Sequence, residues 1–242
     1  MSFYRETVMV RAYLYLAAFI PLTFLFSISA FTLSLFDPTG RVYAWHARLW
    51  ARISLALNMV TVTVRGAEHL PVGPVIFMSN HQSNFDILSL LASMPRQIHW
   101  IAKKELFDIP VFGPSMRRGG YIPLDRGDGR KALQSMDEAA DTIHRGKSIV
   151  LFPEGTRTTD GNLLPFKRGG FILARKADVP VIPVTINGSG KINPANQIRL
   201  YSGTISITLH PPVVVPTGLR KSEAETWTME AVRSQIDSAL EH

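Results

Sequence analysis

The sequence predicts an α/β domain built on a mixed, mostly parallel sheet flanked by helices, with an N-terminal membrane-embedded two-helix motif. Three observations carry that prediction. Short apolar runs of strand character alternate with helical patterns from residue 58 onward, a long uncharged stretch and then an amphipathic one precede them, and polar turns follow two of the strand-like runs directly. The expected division is residues 1–57 as a hydrophobic and amphipathic two-helix anchor and 58–242 as the α/β domain.

Composition narrows the class. With 46% apolar and 19% charged residues the chain is not disordered, and 242 residues suffice for one ample core. The net charge of +7 suits an acidic partner: a membrane surface, a phosphorylated substrate, an acidic carrier protein or nucleic acid. Nucleic acid is not expected, because the cations are spread along the chain and no binding motif accompanies them. The absence of cysteine excludes disulfides, thiolate zinc sites and a cysteine nucleophile, and fits a reducing cytosol.

From Ala12 to Phe36 runs a 25-residue segment without charge, flanked by Arg11 and Asp37. As one helix it would measure roughly 37 Å against the ~30 Å of a bilayer core. It exceeds the about 7–15 apolar residues of a signal peptide and no small-residue cleavage site follows, so a retained anchor is expected. Pro21 interrupts the run, and Ser27, Ser29, Thr32 and Ser34 add polarity to its second half, which favours two embedded helices over a simple span. Asp37-Pro38-Thr39-Gly40 is a turn signal. Beyond it, Arg41, Trp45, Arg48 and Arg52 share one helical face and Val42, Leu49, Ile53 and Ala56 another. That is the pattern of a basic interfacial helix with aromatic anchors; the alternative is an ordinary helix packed on the domain.

Strands are expected at 60–64, 75–78, 98–102, 149–152, 181–186 and 205–209, and helices at 87–91, 129–145, 168–177 and 222–240. The helix at 129–145 is the clearest, with Ala132, Leu133, Met136, Ala139, Ala140 and Ile143 on one face and Gly146 placed to end it.

Chemistry concentrates at the turn Asn80-His81-Gln82-Ser83-Asn84-Phe85-Asp86, which sets an imidazole and a carboxylate five positions apart between a strand and a helix. Such strand-end turns are usual places for sites. A capping box competes, with Ser83 as N-cap and Asp86 reaching back from N3, and both readings stay open on the residues alone. No metal-ligand spacing is present.

With Phe152-Pro153-Glu154-Gly155-Thr156-Arg157 also in view, the sequence resembles the lysophosphatidate (1-acyl-sn-glycerol-3-phosphate) acyltransferase family. Four blocks carry the resemblance in the family's order: Asn80 to Asp86, Gly120 to Arg126, Phe152 to Arg157, and Val179 to Val184. Pro123 stands where the second block usually has a bulky apolar residue, a departure next to the segment that presents Arg126.

The resemblance implies transfer of an acyl chain from a thioester to the sn-2 hydroxyl of lysophosphatidic acid, with His81 as general base oriented by Asp86 and no covalent intermediate. Ser83, two residues from the base, is expected to cap the helix. For the acceptor's phosphate the first choice is Arg157, with Gly155 allowing close backbone approach and Thr156 donating a hydroxyl. Glu154 would bind a glycerol hydroxyl or orient Arg157, a structural salt bridge being the alternative. Arg126, Lys103 and Lys104 would make further phosphate or carrier contacts, a solvated basic face being the equal alternative for the lysines. No cofactor is expected beyond the co-substrate, acyl-CoA or acidic acyl carrier protein. The expected place is the cytoplasmic membrane, in contact with membrane lipid, with the domain facing the cytosol because cations follow the anchor. Two rivals remain: the same chemistry on another acceptor, or a non-catalytic membrane- or carrier-binding module.

Overall fold

The structure, a computed structural model, describes residues 2–125 and 127–241. The helices are α1 (Ser2–Ser34), α2 (Arg41–Leu57), α3 (Phe85–Ser93), α4 (Phe112–Arg118), α5 (Gly129–His144), α6 (Gly169–Ala177), α7 (Ser189–Ile192) and α8 (Lys221–Ser238). The strands are β1 (Val60–Arg65), β2 (Ile76–Ser79), β3 (Ile98–Lys103), β4 (Ile122–Leu124), β5 (Ser148–Leu151), β6 (Val181–Asn187) and β7 (Gly203–Leu209).

The strands form one mixed, mostly parallel sheet in the order β1-β7-β6-β2-β5-β3-β4. Every neighbouring pair is parallel except β6 and β7. Strands β2, β5 and β6 are apolar at nearly every position because both of their faces are covered. Alternation sorts their side chains. Phe77, Val150, Ile182 and Val184 meet Leu55 of α2 and Phe85 and Leu88 of α3 on one face. Ile76, Met78, Ile149 and Val181 meet α5, α6 and α8 on the other through Met136, Ile143, Phe171, Val232 and Ile236. Each such burial contributes roughly 1.5–3 kcal/mol.

Strand β4 was not foreseen in the sequence. It is three residues long and contains Pro123, which pairs with Ala102 at the sheet edge, where a strand tolerates a proline.

The N-terminal residues form a helical hairpin. Pro21 lies inside α1 without ending it. The hydroxyls of Thr23, Ser27, Thr32 and Ser34 turn back to carbonyls of their own helix at 2.7–2.9 Å, while Ser29 Oγ bonds His46 Nε2 of α2 at 3.0 Å. Asp37 then closes the turn by accepting from the Thr39 and Val42 amides.

The basic face expected of helix α2 is divided: Arg41 and Trp45 are exposed. Arg48 donates to the Met94 carbonyl at 2.7 Å and Arg52 to Ala92 at 3.2 Å, so two of its cations satisfy orphan carbonyls at the end of α3. Its buried residues are Tyr43, His46, Ala51, Ser54 and Leu55, and it packs between α1 and α3.

Candidate active site

Strand β2 delivers the turn 80–84 to the carboxyl edge of the sheet. Asn80 fixes it there: its Nδ2 donates to the Ile186 carbonyl and its Oδ1 accepts from the Ile186 amide, both at 2.8 Å. The next residue, His81, faces outward with Nδ1 2.8 Å from Asp86 Oδ2. With Nδ1–H donated to the carboxylate, Nε2 carries the lone pair, so the imidazole is held ready to accept a proton at that atom.

Asp86 is completely buried, and the same Oδ2 also accepts the Gln82 and Ser83 amides at 2.8 Å. One oxygen thus holds two turn amides and the imidazole, while the helix N-cap is Asn84 and not Ser83 as expected. Oδ1 is buried with no hydrogen-bond partner. Ser83 Oγ accepts from the Phe85 amide at 3.2 Å and donates to the Asn193 carbonyl at 2.9 Å, and Ser83 does not line the cavity described below.

The second turn, after β5, is built against the first. Phe152 stacks on the His81 ring with centroids 3.8 Å apart and planes 6° from parallel, and Trp100 supports Phe152 at 5.5 Å. The Thr158 amide donates to the His81 carbonyl at 2.9 Å. Glu154 does not take the place expected of it. It is buried, Oε1 accepts the His81 amide and Oε2 the Leu164 amide, both at 2.8 Å, and it does not line the cavity. It forms no ion pair among the described residues, and its two oxygens tie the two turns together. Burial raises its pKa above the ordinary carboxylate range, against the lowering effect of the two amides.

A cavity of about 890 Å³ opens in front of His81. Part of its wall is apolar, formed by α1 and α2 through residues such as Tyr15, Phe19, Phe26 and Trp50 together with Leu91 of α3. Polar and cationic residues complete the lining, Lys103, Gly155, Thr156, Arg157 and Arg199, and no Asp or Glu lines it among the described residues. Gly155 adopts a φ of +72°, where an L side chain is strained. Lys103 lies 3.6 Å from Glu105 with both side chains more than half exposed, a weak attachment. Lys104 turns away instead; its Nζ pairs with Asp125 at 2.7 Å and it does not line the cavity. Arg126 lies outside the described residues.

The structure thus brings His81, Asp86, Gly155, Thr156, Arg157 and Lys103 together and sets Glu154 behind them. Sequence reasoning missed Asn80, Phe152, Trp100 and Arg199 as members. Asn80 and Phe152 were visible as neighbours of the motif residues. Nothing in the local sequence signals Arg199 or the α1 and α2 wall, because those contacts are long-range.

The model of the Acyltransferase family matches residues 61–187, which contain both turns. The chain is 39% identical over 170 residues to a chloroplastic 1-acyl-sn-glycerol-3-phosphate acyltransferase of Brassica napus, covering 69% of this chain and 49% of that protein. A chloroplastic 1-acyl-sn-glycerol-3-phosphate acyltransferase of Arabidopsis thaliana is 36% identical over 211 residues, 86% of this chain and 57% of that one. The chain spans about half the length of these curated relatives. The crystal structure of the 1-acyl-sn-glycerophosphate (LPA) acyltransferase PlsC from Thermotoga maritima shares the fold, with a TM-score of 0.80 over 97% of this chain and 96% of that one at 24% identity. With a family match that runs from β1 through both turns to the end of β6, the chain belongs to the Acyltransferase family.

Proposed function

We propose that the chain transfers an acyl group from a thioester to the sn-2 hydroxyl of lysophosphatidic acid, forming phosphatidic acid in phospholipid biosynthesis. The observation that carries this reading is the His81–Asp86 pair at a cavity lined by apolar residues and by cations, with no carboxylate in the lining among the described residues. An amphiphile with one acyl chain and one phosphate fits such a cavity with its glycerol hydroxyl near the base. The names of the relatives point to the same acceptor.

The proton of the sn-2 hydroxyl passes to His81 Nε2 as its oxygen attacks the thioester carbonyl carbon. The carbon–sulfur bond breaks, and the leaving thiolate takes the proton from the imidazolium. Asp86 holds the ring's orientation and stabilises its charge. Ser83 takes no covalent part, since its hydroxyl is already donated to the Asn193 carbonyl. Arg157 receives the acceptor phosphate by paired N–H donors, with Thr156 and Lys103 beside it. Catalysis draws on no cofactor other than the thioester co-substrate.

The residues of α1 that face outward, among them Tyr13, Leu14, Ile20, Leu25, Ile28 and Leu33, are exposed and apolar. Val8–Ser34 is long and apolar enough to cross a membrane. Because the opposite side of α1 packs on α2 and α4, we place it within the cytoplasmic membrane surface as a seat for the domain, which faces the cytosol. An acyl chain can then enter the chamber between α1, α2 and the domain without crossing water.

The test is product identification. Purified full-length chain in mixed micelles, given acyl-CoA or acyl carrier protein thioester, is expected to convert lysophosphatidate to phosphatidate. Transfer to glycerol 3-phosphate or to a phosphate-free lyso-lipid in preference to lysophosphatidate would contradict the proposal.

A further inference from the structure

We infer that Arg199 is the contact for the phosphate of the acyl donor's pantetheine arm, on the opposite side of His81 from the cations that receive the acceptor's phosphate; this rests on the acyl-transfer reading above. Three cations line the cavity, Lys103, Arg157 and Arg199, and no acidic side chain among the described residues does. Two phosphate-bearing molecules must meet there. Coenzyme A and carrier-protein thioesters both present the acyl group on phosphopantetheine, so this phosphate is common to either donor.

Topology separates the cations. His81 follows β2, Arg157 follows β5 and Lys103 ends β3, so both latter residues lie on one side of the base along the sheet edge. Arg199 comes from the other side, in the segment between α7 and β7 that follows β6. With about 4.8 Å between neighbouring strands, that order places His81 between two cationic flanks rather than beside one. A base that takes a proton from one substrate while the other's carbonyl is attacked has to lie between the two.

The segment carrying Arg199 is built, not loose. Ser83 Oγ, two residues from His81, donates to the Asn193 carbonyl at 2.9 Å. Asn193 Nδ2 in turn donates to the carbonyl of Arg199 itself at 3.0 Å. The Tyr201 amide bonds the Ile192 carbonyl at 2.9 Å and Leu200 is buried, which closes the loop at its base. The arginine is half-buried with no carboxylate partner among the described residues. A guanidinium so placed is satisfied by an arriving anion, and its planar fork suits phosphate oxygens. Arg199 lies beyond the residues matched by the family model.

The test compares wild type with Arg199→Gln and Arg157→Gln in steady-state kinetics, with acyl-CoA, acyl phosphopantetheine and acyl pantetheine as donors. For Arg199→Gln the expected result is a donor KM raised about tenfold to a hundredfold with the two phosphorylated donors, no change with acyl pantetheine, and an unchanged lysophosphatidate KM. Arg157→Gln should raise the lysophosphatidate KM instead. A penalty in the acceptor KM, a penalty confined to acyl-CoA, or no penalty with any donor would each overturn the assignment. Titration calorimetry with a non-transferable S-alkyl phosphopantetheine reads the same contact without turnover. If wild type binds this thioether at least tenfold more tightly than Arg199→Gln but transfers nothing to lysophosphatidate, Arg199 stands and the acceptor reading fails. Equal binding by the two proteins sinks Arg199 alone.

Discussion

Asp86 Oδ2 accepts from the His81 imidazole and from the Gln82 and Ser83 amides, while Oδ1 is buried without a partner. An asparagine can keep its carbonyl oxygen on the two amides and put its NH2 at the empty side, but it no longer supplies the charge that steadies an imidazolium. Asp86→Asn is therefore expected to lose about 10²- to 10⁴-fold in turnover. Its melting temperature should fall by only a few degrees, on the order of 1–2 kcal/mol; calorimetry beside the transfer assay separates the two effects. Glu154 behaves oppositely. Both its oxygens hold amides, so Glu154→Gln must turn an NH2 group toward one of them and is expected to cost about 1–3 kcal/mol. Thermal unfolding measures that loss, and a variant as stable as wild type would refute the tying role. The sequence could show that these carboxylates sit in turns, but not which is turned to the cavity and which away, since that depends on how two turns 73 positions apart meet.

At the scale of elements, the segment after the second turn carries a pH-dependent fastening. Asp160 accepts from the Thr158 hydroxyl at 2.7 Å and from the Asn162 amide and side chain at 3.0 Å each, and these donors, Thr158 first, pull its pKa from 3.8 down to about 2. A lowered folded-state pKa contributes stability that is present above 3.8 and lost as the pH falls toward 2. Hydrogen exchange of the 158–164 amides is expected to accelerate across that window in wild type and to lose this step in Asp160→Asn. Helix α5 was legible because its periodicity and terminal Gly146 agree, and the structure adds an Asp128 cap that accepts the Arg130 and Lys131 amides. The register of α2 was legible too, but not its neighbours: periodicity puts Arg48 and Arg52 on one face, and only the end of α3 decides that they face protein. Strand β4 escaped because a proline inside a three-residue edge strand leaves no pattern to read.

Across the whole molecule, the sheet holds two turns at one edge, α3 and the cavity wall cover one face, and α1 presents an apolar side to its surroundings. Replacing exposed Leu14, Leu25 and Phe36 by serine is expected to weaken binding to anionic phospholipid vesicles at least tenfold while leaving the melting temperature within about 2 °C, because those side chains touch little of the protein. Co-sedimentation measures it, and undiminished binding would contradict the membrane seat. The sheet and both turns were legible in strand-like runs and motif residues close together in sequence. The chamber was not, since it joins residue 12 to residue 200 across the fold. The most direct test of the proposed base is single-turnover acyl transfer to lysophosphatidate by wild type and His81→Ala, with fold checked by circular dichroism. A rate at least about 10²-fold lower is expected in a variant that stays folded; a folded His81→Ala variant that transfers at the wild-type rate would contradict a base at this position.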